Sequence, residues 1–463
     1  MKTKLLLILL LLTAKLNAQI PADAAARLNK IFDSLCTKYS IKGASAAMFV
    51  PGVGIWKSVH GISHANTPIT ENMILGLGSN TKTYIAVLML QLQEEGKLSL
   101  DDTIGNWIKN VQHVNGKITI RQMLNHTSGL YSYTENMEWI NEIFEDQRRV
   151  FRPDEILKYI QKPKFEPGKR WSYCNTNYLL AGMIIEKVTG KPLHIVLREK
   201  MLSPHGLHNT YLVPDEASTA PFAHPWTYIY DHSAPIVDIM VESETDINAF
   251  YSSAYAAGAL FSTAEDNALF WHKLMAGLII SEKSLAELKQ YIKIDATVGY
   301  GLGIFREKNF NGRTVYSHGG TGFGYVNENI ADSTNGIVIT VLTNQDSIGN
   351  GIILNTIIKA LHKATQQNQT LGINKNTAAA ELQISVYPNP STGNCYVKLP
   401  EGFANNSSIS VVNMLGQEMM FLNNVQAGNE IQELDLTHLE AGMYVIRIKN
   451  KDNINARKIQ VIK

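Results

Sequence analysis

The sequence predicts an α/β fold, a sheet flanked by helices with an all-helical region inserted, followed by a small all-β sandwich. Three observations carry this expectation. The period of the apolar residues changes along the chain, giving two early strands, a long helical middle and several late strands. One early helix is apolar on nearly every side, as a helix at the centre of a domain is. Beyond about residue 382 only short alternating runs between turn residues remain, the pattern of a small sandwich.

The elements follow in order. Lys2 and Lys4 precede the apolar run Leu5–Leu12, and Leu16-Asn17-Ala18 stands before Gln19, the pattern of a secretory signal peptide over residues 1–18. The run is shorter than the roughly 20 residues that span a bilayer. An exported protein, secreted or at the cell surface, is therefore expected. Ala22–Tyr39 reads as an amphipathic helix with Ala25, Leu28, Ile31, Phe32 and Leu35 on one stripe. Ala44–Val50 and Gly54–His60 read as two strands joined across Pro51-Gly52. A helix over Thr81–Glu95 ends at Gly96 and is the one apolar all round. From Ile118 to Ala276 the pattern is mostly helical, and strands return at Val315–Ser317, Gly324–Val326 and Ile337–Leu342. A final amphipathic helix is read over Asn350–Gln366, closing a domain over residues 19–366. Residues 367–382, rich in Gln, Asn, Thr and Ala, read as a linker. Residues 383–463 carry the runs Ser385–Tyr387, Cys395–Leu399, Ser408–Val412, Met443–Ile448 and Lys458–Ile462.

Composition narrows the chemistry. The 463 residues hold 42 Lys+Arg and 41 Asp+Glu, a balance with no excess charge for nucleic acid or a membrane surface. Cys36, Cys174 and Cys395 are too few and too scattered for a disulfide framework, their odd count leaves at least one free thiol, and Cys174 reads as a buried thiol in preference to a nucleophile. The pairs His60/His64 and His205/His208 lack a carboxylate partner on a clear helix, and no phosphate-cradling glycine loop occurs. No metal or other cofactor is expected, and the chain is expected to be a monomer.

Three local patterns remain. In Ser79-Asn80-Thr81-Lys82, positions three apart on a helix face the same way, so the hydroxyl and the amine can share a pocket. A hydroxyl needs an adjacent base to attack, and a lysine serves when desolvation depresses its pKa. Ser79 as a helix cap with Lys82 solvated is the competing reading; the apolar run Ile85–Leu90 counts against it. Tyr173-Cys174-Asn175, between the turn Pro167-Gly168 and an apolar helix over Tyr178–Val188, offers a phenol as proton shuttle and an amide for a substrate carbonyl. A shuttling phenol of this kind needs a lowered pKa. The same spacing recurs at Tyr325-Val326-Asn327 and Tyr387-Pro388-Asn389, where a core tyrosine and a turn asparagine suffice. His318-Gly319-Gly320 ends a strand, where glycines admit a second backbone and His318 can place partial positive charge near a substrate carboxylate. A plain β-turn fits that spacing equally well.

In their order and settings these patterns resemble the serine β-lactamase/penicillin-binding protein family, in the branch of class C β-lactamases, D,D-carboxypeptidases, D-aminopeptidases and related esterases. The resemblance runs from about Ala22 to Leu361. It rests on Leu77-Gly78-Ser79-Asn80-Thr81-Lys82-Thr83, Leu124-Asn125-His126-Thr127-Ser128-Gly129-Leu130, Phe165-Glu166-Pro167-Gly168 and Tyr173-Cys174-Asn175-Thr176-Asn177-Tyr178. It continues through Ala257-Gly258-Ala259-Leu260-Phe261-Ser262-Thr263-Ala264 and His318-Gly319-Gly320. The resemblance implies an antiparallel sheet, Ser79 as acyl-forming nucleophile, Lys82 and Tyr173 as base and acid, and Asn175 as substrate ligand. It also implies an oxyanion hole from the backbone amides of Ser79 and Thr321, with His318, Gly319 and Gly320 beside the substrate. Tyr131–Trp139 and Phe222–Tyr230 are expected to wall the cleft.

Two departures bear on substrate. His318 stands where many β-lactamases have lysine, and Glu166 is followed by Pro-Gly-Lys-Arg instead of the Glu-x-x-x-Asn that holds a deacylating water in class A enzymes. The expectation is an acyl-enzyme hydrolase of D-amino-acid peptides or related amides and esters. A β-lactamase or esterase using the same residues stays open, as does a penicillin-binding sensor that acylates with negligible turnover. Val386-Tyr387-Pro388-Asn389-Pro390, Asn413-Met414-Leu415-Gly416-Gln417 and Leu439-Glu440-Ala441-Gly442-Met443-Tyr444-Val445 look like the sorting domain of the type IX secretion system. That resemblance implies the type IX machinery as a partner. A carbohydrate-binding sandwich is the competitor, weakened by the few aromatics available to stack on sugars.

Overall fold

The computed structural model describes residues 20–228, 235–243, 245–347, 349, 351–366, 385–398, 407–413, 418–425, 431–450 and 453–462. The expected signal peptide and linker lie outside them. The chain divides into two compact units, Met1–Gly372 and Ile373–Lys463.

In the first unit, helix α1 (Ala22–Lys38) buries Ala24, Leu28, Phe32 and Cys36, a four-residue spacing that keeps one face on the core. Strands β1 (Gly43–Val50) and β2 (Gly54–His64) form the expected hairpin, with Ala44 opposite His60. Helix α2 (Thr81–Glu94) follows, and all of its residues from Thr81 to Leu90 are buried. Helices α3 (Met137–Glu145), α4 (Asn175–Thr189), α5 (Ile247–Ser252) and α6 (Ala264–Met275) belong to the middle region. The chain then returns to the sheet with β3 (Val298–Tyr300), β4 (Phe305–Phe310), β5 (Arg313–Ser317), β6 (Gly320–Gly322), β7 (Tyr325–Asp332) and β8 (Val338–Thr343), and ends on α7 (Ile352–Gln366).

These strands form an antiparallel sheet in the order β2-β1-β8-β7-β5-β4-β3, extended at its ends by the short strands Thr67–Pro68 and Ile292–Lys293. Ala44 pairs with Thr343, so the first and last segments of the sheet are neighbours at its centre. Every residue of β8 is buried, which is why that run reads as continuously apolar instead of alternating. The α1 and α7 helices pack together, α7 covering β7 and β8, while α6 packs on β1, β7 and β8. This is an α/β sandwich with an antiparallel sheet and an added helical region, as the sequence predicts.

One difference concerns the edge expected at His318. Strand β5 is interior, paired with both β4 and β7, and the strand after His318 that is bonded on one side is the short β6, to β7. The second unit holds a three-stranded sheet (Ser385–Tyr387, Asn394–Lys398, Ile431–Asp435) and a four-stranded one (Glu418–Val425, Ser407–Asn413, Gly442–Asn450, Asn453–Val461). Its core includes Cys395, Val397, Ile409, Val411, Leu434 and Ile446. The strand Ile431–Asp435 escapes the sequence reading because only Leu434 is buried along it.

Candidate active site

Ser79 sits on a single 3₁₀ turn, Gly78–Asn80, that leads into α2. Gly78 is left-handed (φ +46°), and a Cβ there would lie 3.1–3.2 Å from the Thr321 backbone. The turn is anchored from below by Asn80, which is wholly buried. Its Nδ2 donates to Asn267 Oδ1 (3.1 Å) and Asn329 Oδ1 (2.6 Å), and its Oδ1 accepts from Trp271 Nε1 (3.2 Å). Bonds at both polar atoms of the Asn80 side chain hold its amide in one orientation. Ser79 does not cap α2, because no side-chain bond caps that helix.

The amine of Lys82, in the first turn of α2, lies 3.0 Å from Ser79 Oγ and donates to the Ala257 carbonyl at 2.7 Å. The side chain is fully buried. Burial without a carboxylate counterion among the described residues pushes its pKa from 10.5 down to about 7. A neutral, proton-accepting amine is then available near neutral pH. The rings of Tyr173 and Tyr178 lie 5.0 and 5.6 Å from it.

Tyr173 stands beside Ser79 with its hydroxyl buried and no geometrically complete hydrogen bond. Burial holds this phenol well above its usual range, with proximity to Ser79 opposing only in part. The lowered pKa expected for a proton shuttle is thus absent, since no ammonium near it outweighs desolvation. Tyr173 is a protonated phenol in this geometry. Asn175, the first residue of α4, donates from Nδ2 to Thr134 Oγ1 (2.9 Å) and receives support at its backbone N–H from Ser132 Oγ (3.0 Å).

His318 departs furthest from expectation. It is 2% exposed. Its Nδ1 donates to the Gly319 carbonyl (2.7 Å), so its Nε2 accepts from the Tyr300 hydroxyl (3.0 Å). Burial first, and the Lys82 charge second, push its pKa down to about 3. His318 is a neutral imidazole and carries no partial positive charge for a carboxylate. In a pH series followed by NMR, the His318 ring is expected to keep neutral-form shifts down to pH 5; a transition near the ordinary 6.5 would contradict the assignment.

Gly319 and Gly320 are small for steric reasons. A Cβ at Gly319 would meet Glu328 Oε2 at 2.5 Å, and one at Gly320 would meet the Leu77 carbonyl at 1.9 Å. The close approach of β6 to the Ser79 turn brings Thr321 and Ser79 to one cavity of about 240 Å³, together with Gly78, Asn175 and Ala257. Tyr133, Thr134 and Trp139 line it from the first expected wall segment. The second expected wall is displaced. Trp226 donates to the Ser63 carbonyl (2.7 Å) and Thr227 pairs with Val237, which holds the described part of residues 222–230 elsewhere; residues 229–230 lie outside the described ones. Phe250, Tyr251, Ser253 and Ala254 take that place.

Two positioning residues carried no role in the sequence reading. His126, left-handed at φ +60°, accepts the Cys174 N–H at Nδ1 (3.1 Å) and so fixes the chain between Tyr173 and Asn175. Asn327 donates from Nδ2 to the Leu77 carbonyl (2.8 Å) and the Gly320 carbonyl (3.3 Å), tying β6 to the Ser79 turn. The Tyr-x-Asn spacing did mark Asn327, as a competitor to Tyr173-Cys174-Asn175. Nothing local could say that the competitor folds against the same site.

Comparison with known proteins shows the family of each unit. A family model described as Beta-lactamase matches residues 28–362, and one described as Secretion system C-terminal sorting domain matches residues 385–463. A D-stereospecific amidohydrolase from Streptomyces sp. has a solved structure with a TM-score of 0.64, 30% identity, and coverage of 73% of this chain and 98% of that one. Penicillin-binding protein 4 of Amycolatopsis lactamdurans is 28% identical over 200 residues, 40% of this chain and 49% of the relative. Esterase EstB of Burkholderia gladioli is 28% identical over 221 residues, 44% of this chain and 55% of the relative. The chain spans about half the length of the curated relatives it matches.

Proposed function

The chain belongs to the Beta-lactamase family, and on that premise we propose that it is an exported serine hydrolase that forms an acyl-enzyme at Ser79. The observation that carries this reading is the 3.0 Å separation between Ser79 Oγ and a buried amine whose pKa lies at about 7. Neutral Lys82 takes the proton as Ser79 Oγ bonds to the substrate carbonyl carbon. The resulting oxyanion accepts from the backbone amides of Ser79 and Thr321, and Asn175 binds the substrate from the α4 side. Collapse breaks the bond to the leaving amine or alkoxide, which takes a proton from Tyr173. Tyr173 regains it from the Lys82 ammonium, so the resting amine is restored. Water then attacks the acyl carbon, releasing the acid and the free Ser79 hydroxyl.

D-amino-acid peptides and related amides and esters are the proposed substrates. The likeness to an amidohydrolase and to an esterase supports that range. Export through the type IX machinery is proposed from the match to the sorting domain over residues 385–463. Exposure to a fluorophosphonate probe tests the mechanism: one covalent adduct on Ser79 is expected in the wild-type chain and none in Ser79→Ala. A labelled Ser79→Ala, or hydrolysis undiminished by it, overturns the assignment. Steady-state turnover of a D-Ala-D-Ala peptide, a p-nitrophenyl ester and nitrocefin ranks the substrates; a lasting penicillin adduct without turnover of any of them would make the protein a sensor.

A further inference from the structure

The cavity beside Ser79 is walled by side chains that no step above uses. Trp139, Ile143 and Phe144 come from α3, Phe250 and Tyr251 from α5, and Phe323 from the residue after β6. The last rings form one cluster: Phe250 stacks on Phe323 at 4.8 Å between centroids, and Phe144 meets Phe323 edge-on at 5.0 Å. Phe144 is nonetheless 42% exposed, an aromatic edge left open to solvent at the cavity mouth. None of the described residues lining the cavity is charged. At the opposite end of β6 His318 is a neutral ring and itself supplies no cation for a substrate carboxylate.

Position tells which part of a substrate enters. The leaving group departs toward its proton donor, Tyr173, which stands 6.3 Å from His318 between ring centroids, at the start of β6. Gly322 and Phe323, at the other end of that strand, line the cavity, whereas His318, Gly319 and Gly320 do not. A group held in it is therefore on the acyl side of the scissile bond.

We propose that this cavity is an acyl pocket that selects uncharged donors with a bulky apolar side chain, aromatic ones above all. The inference rests on Ser79 being the acylated residue. Offset and edge-to-face contacts with Phe250 and Phe323 favour a ring over a chain of equal size, while a carboxylate in the same cavity is desolvated without a partner.

The test uses the full chain and three p-nitrophenyl esters, phenylacetate, acetate and hemisuccinate, with Ser79→Ala as the background rate. The phenylacetate kcat/KM is expected to exceed that of acetate by about tenfold or more, and hemisuccinate is expected to be the poorest of the three. Phe323→Ala and Phe250→Ala should each lower the phenylacetate-to-acetate ratio by about fivefold or more. A ratio near one in the wild type, a preference for hemisuccinate, or a ratio unmoved by both variants overturns the pocket while leaving acylation at Ser79 intact. Release that persists in Ser79→Ala overturns the acyl-enzyme reading and the pocket together.

Discussion

Lys82→Met is expected to lower kcat/KM by about 10³–10⁴-fold and at the same time to raise the melting temperature. The loss follows from removing the group that takes the Ser79 proton, 3.0 Å away. The gain follows from the cost of burying that group. Lys82 is fully enclosed and its pKa falls from 10.5 to about 7, so the folded chain binds fewer protons here than the unfolded chain between those values. Stability contributed at this position therefore rises with pH across that window, and the penalty is complete below about pH 7. Methionine matches the stem of lysine without the charge, so its advantage should be largest below pH 7 and vanish near pH 10.5. Thermal unfolding at pH 6 and pH 10 checks both arms. Equal melting temperatures at pH 6 would mean that burial does not depress the Lys82 pKa. The same titration predicts that wild-type acylation rises with pH through about 7, because only the neutral amine accepts a proton.

The second large effect is expected at Gly320, where the obstacle is distance and not backbone conformation. A methyl group there would lie 1.9 Å from the Leu77 carbonyl and 2.8 Å from Asn327 Nδ2. Neither can yield cheaply, because Leu77 immediately precedes the Ser79 turn and Asn327 bridges that turn to β6. Gly320→Ala should therefore push β6 away from Ser79 and carry the Thr321 amide with it. Loss of one oxyanion donor corresponds to about 10²–10³ in kcat. The substitution is expected to fall in that range while fluorophosphonate still labels Ser79 slowly. Because β6 is short and bonded on one side only, the fold itself should survive, with far-UV circular dichroism unchanged. Full activity in Gly320→Ala would show that Thr321 takes no part.

Much of the site was legible because its parts are local. Ser79 and Lys82 are three residues apart, and the apolar run after them announced a buried helix. The interior strand Val338–Thr343 was legible for the same reason, as an apolar stretch interrupted only by threonine. Charge was not legible. From sequence His318 is an imidazole with an ordinary pKa near neutrality, and only its enclosure and the neighbouring Lys82 charge keep it neutral. Tyr173 carried the same uncertainty, resolved in the direction opposite to expectation. The cavity walls were half legible: the segment Tyr131–Trp139 reaches it, whereas Trp226, in the aromatic stretch from Phe222, is bonded to Ser63 at the end of β2 and to Asn344 after β8.

By itself, then, the sequence determined the order of elements, the pairing of Ser79 with its neighbouring amine, and the β-rich second unit, because each is written within a few turns of one chain segment. Tertiary structure alone decided the protonation of Lys82, Tyr173 and His318, the approach of Thr321 to Ser79 and the aromatic lining beside them. Those depend on which distant segments exclude water from a given atom, and desolvation is a property of the assembled fold.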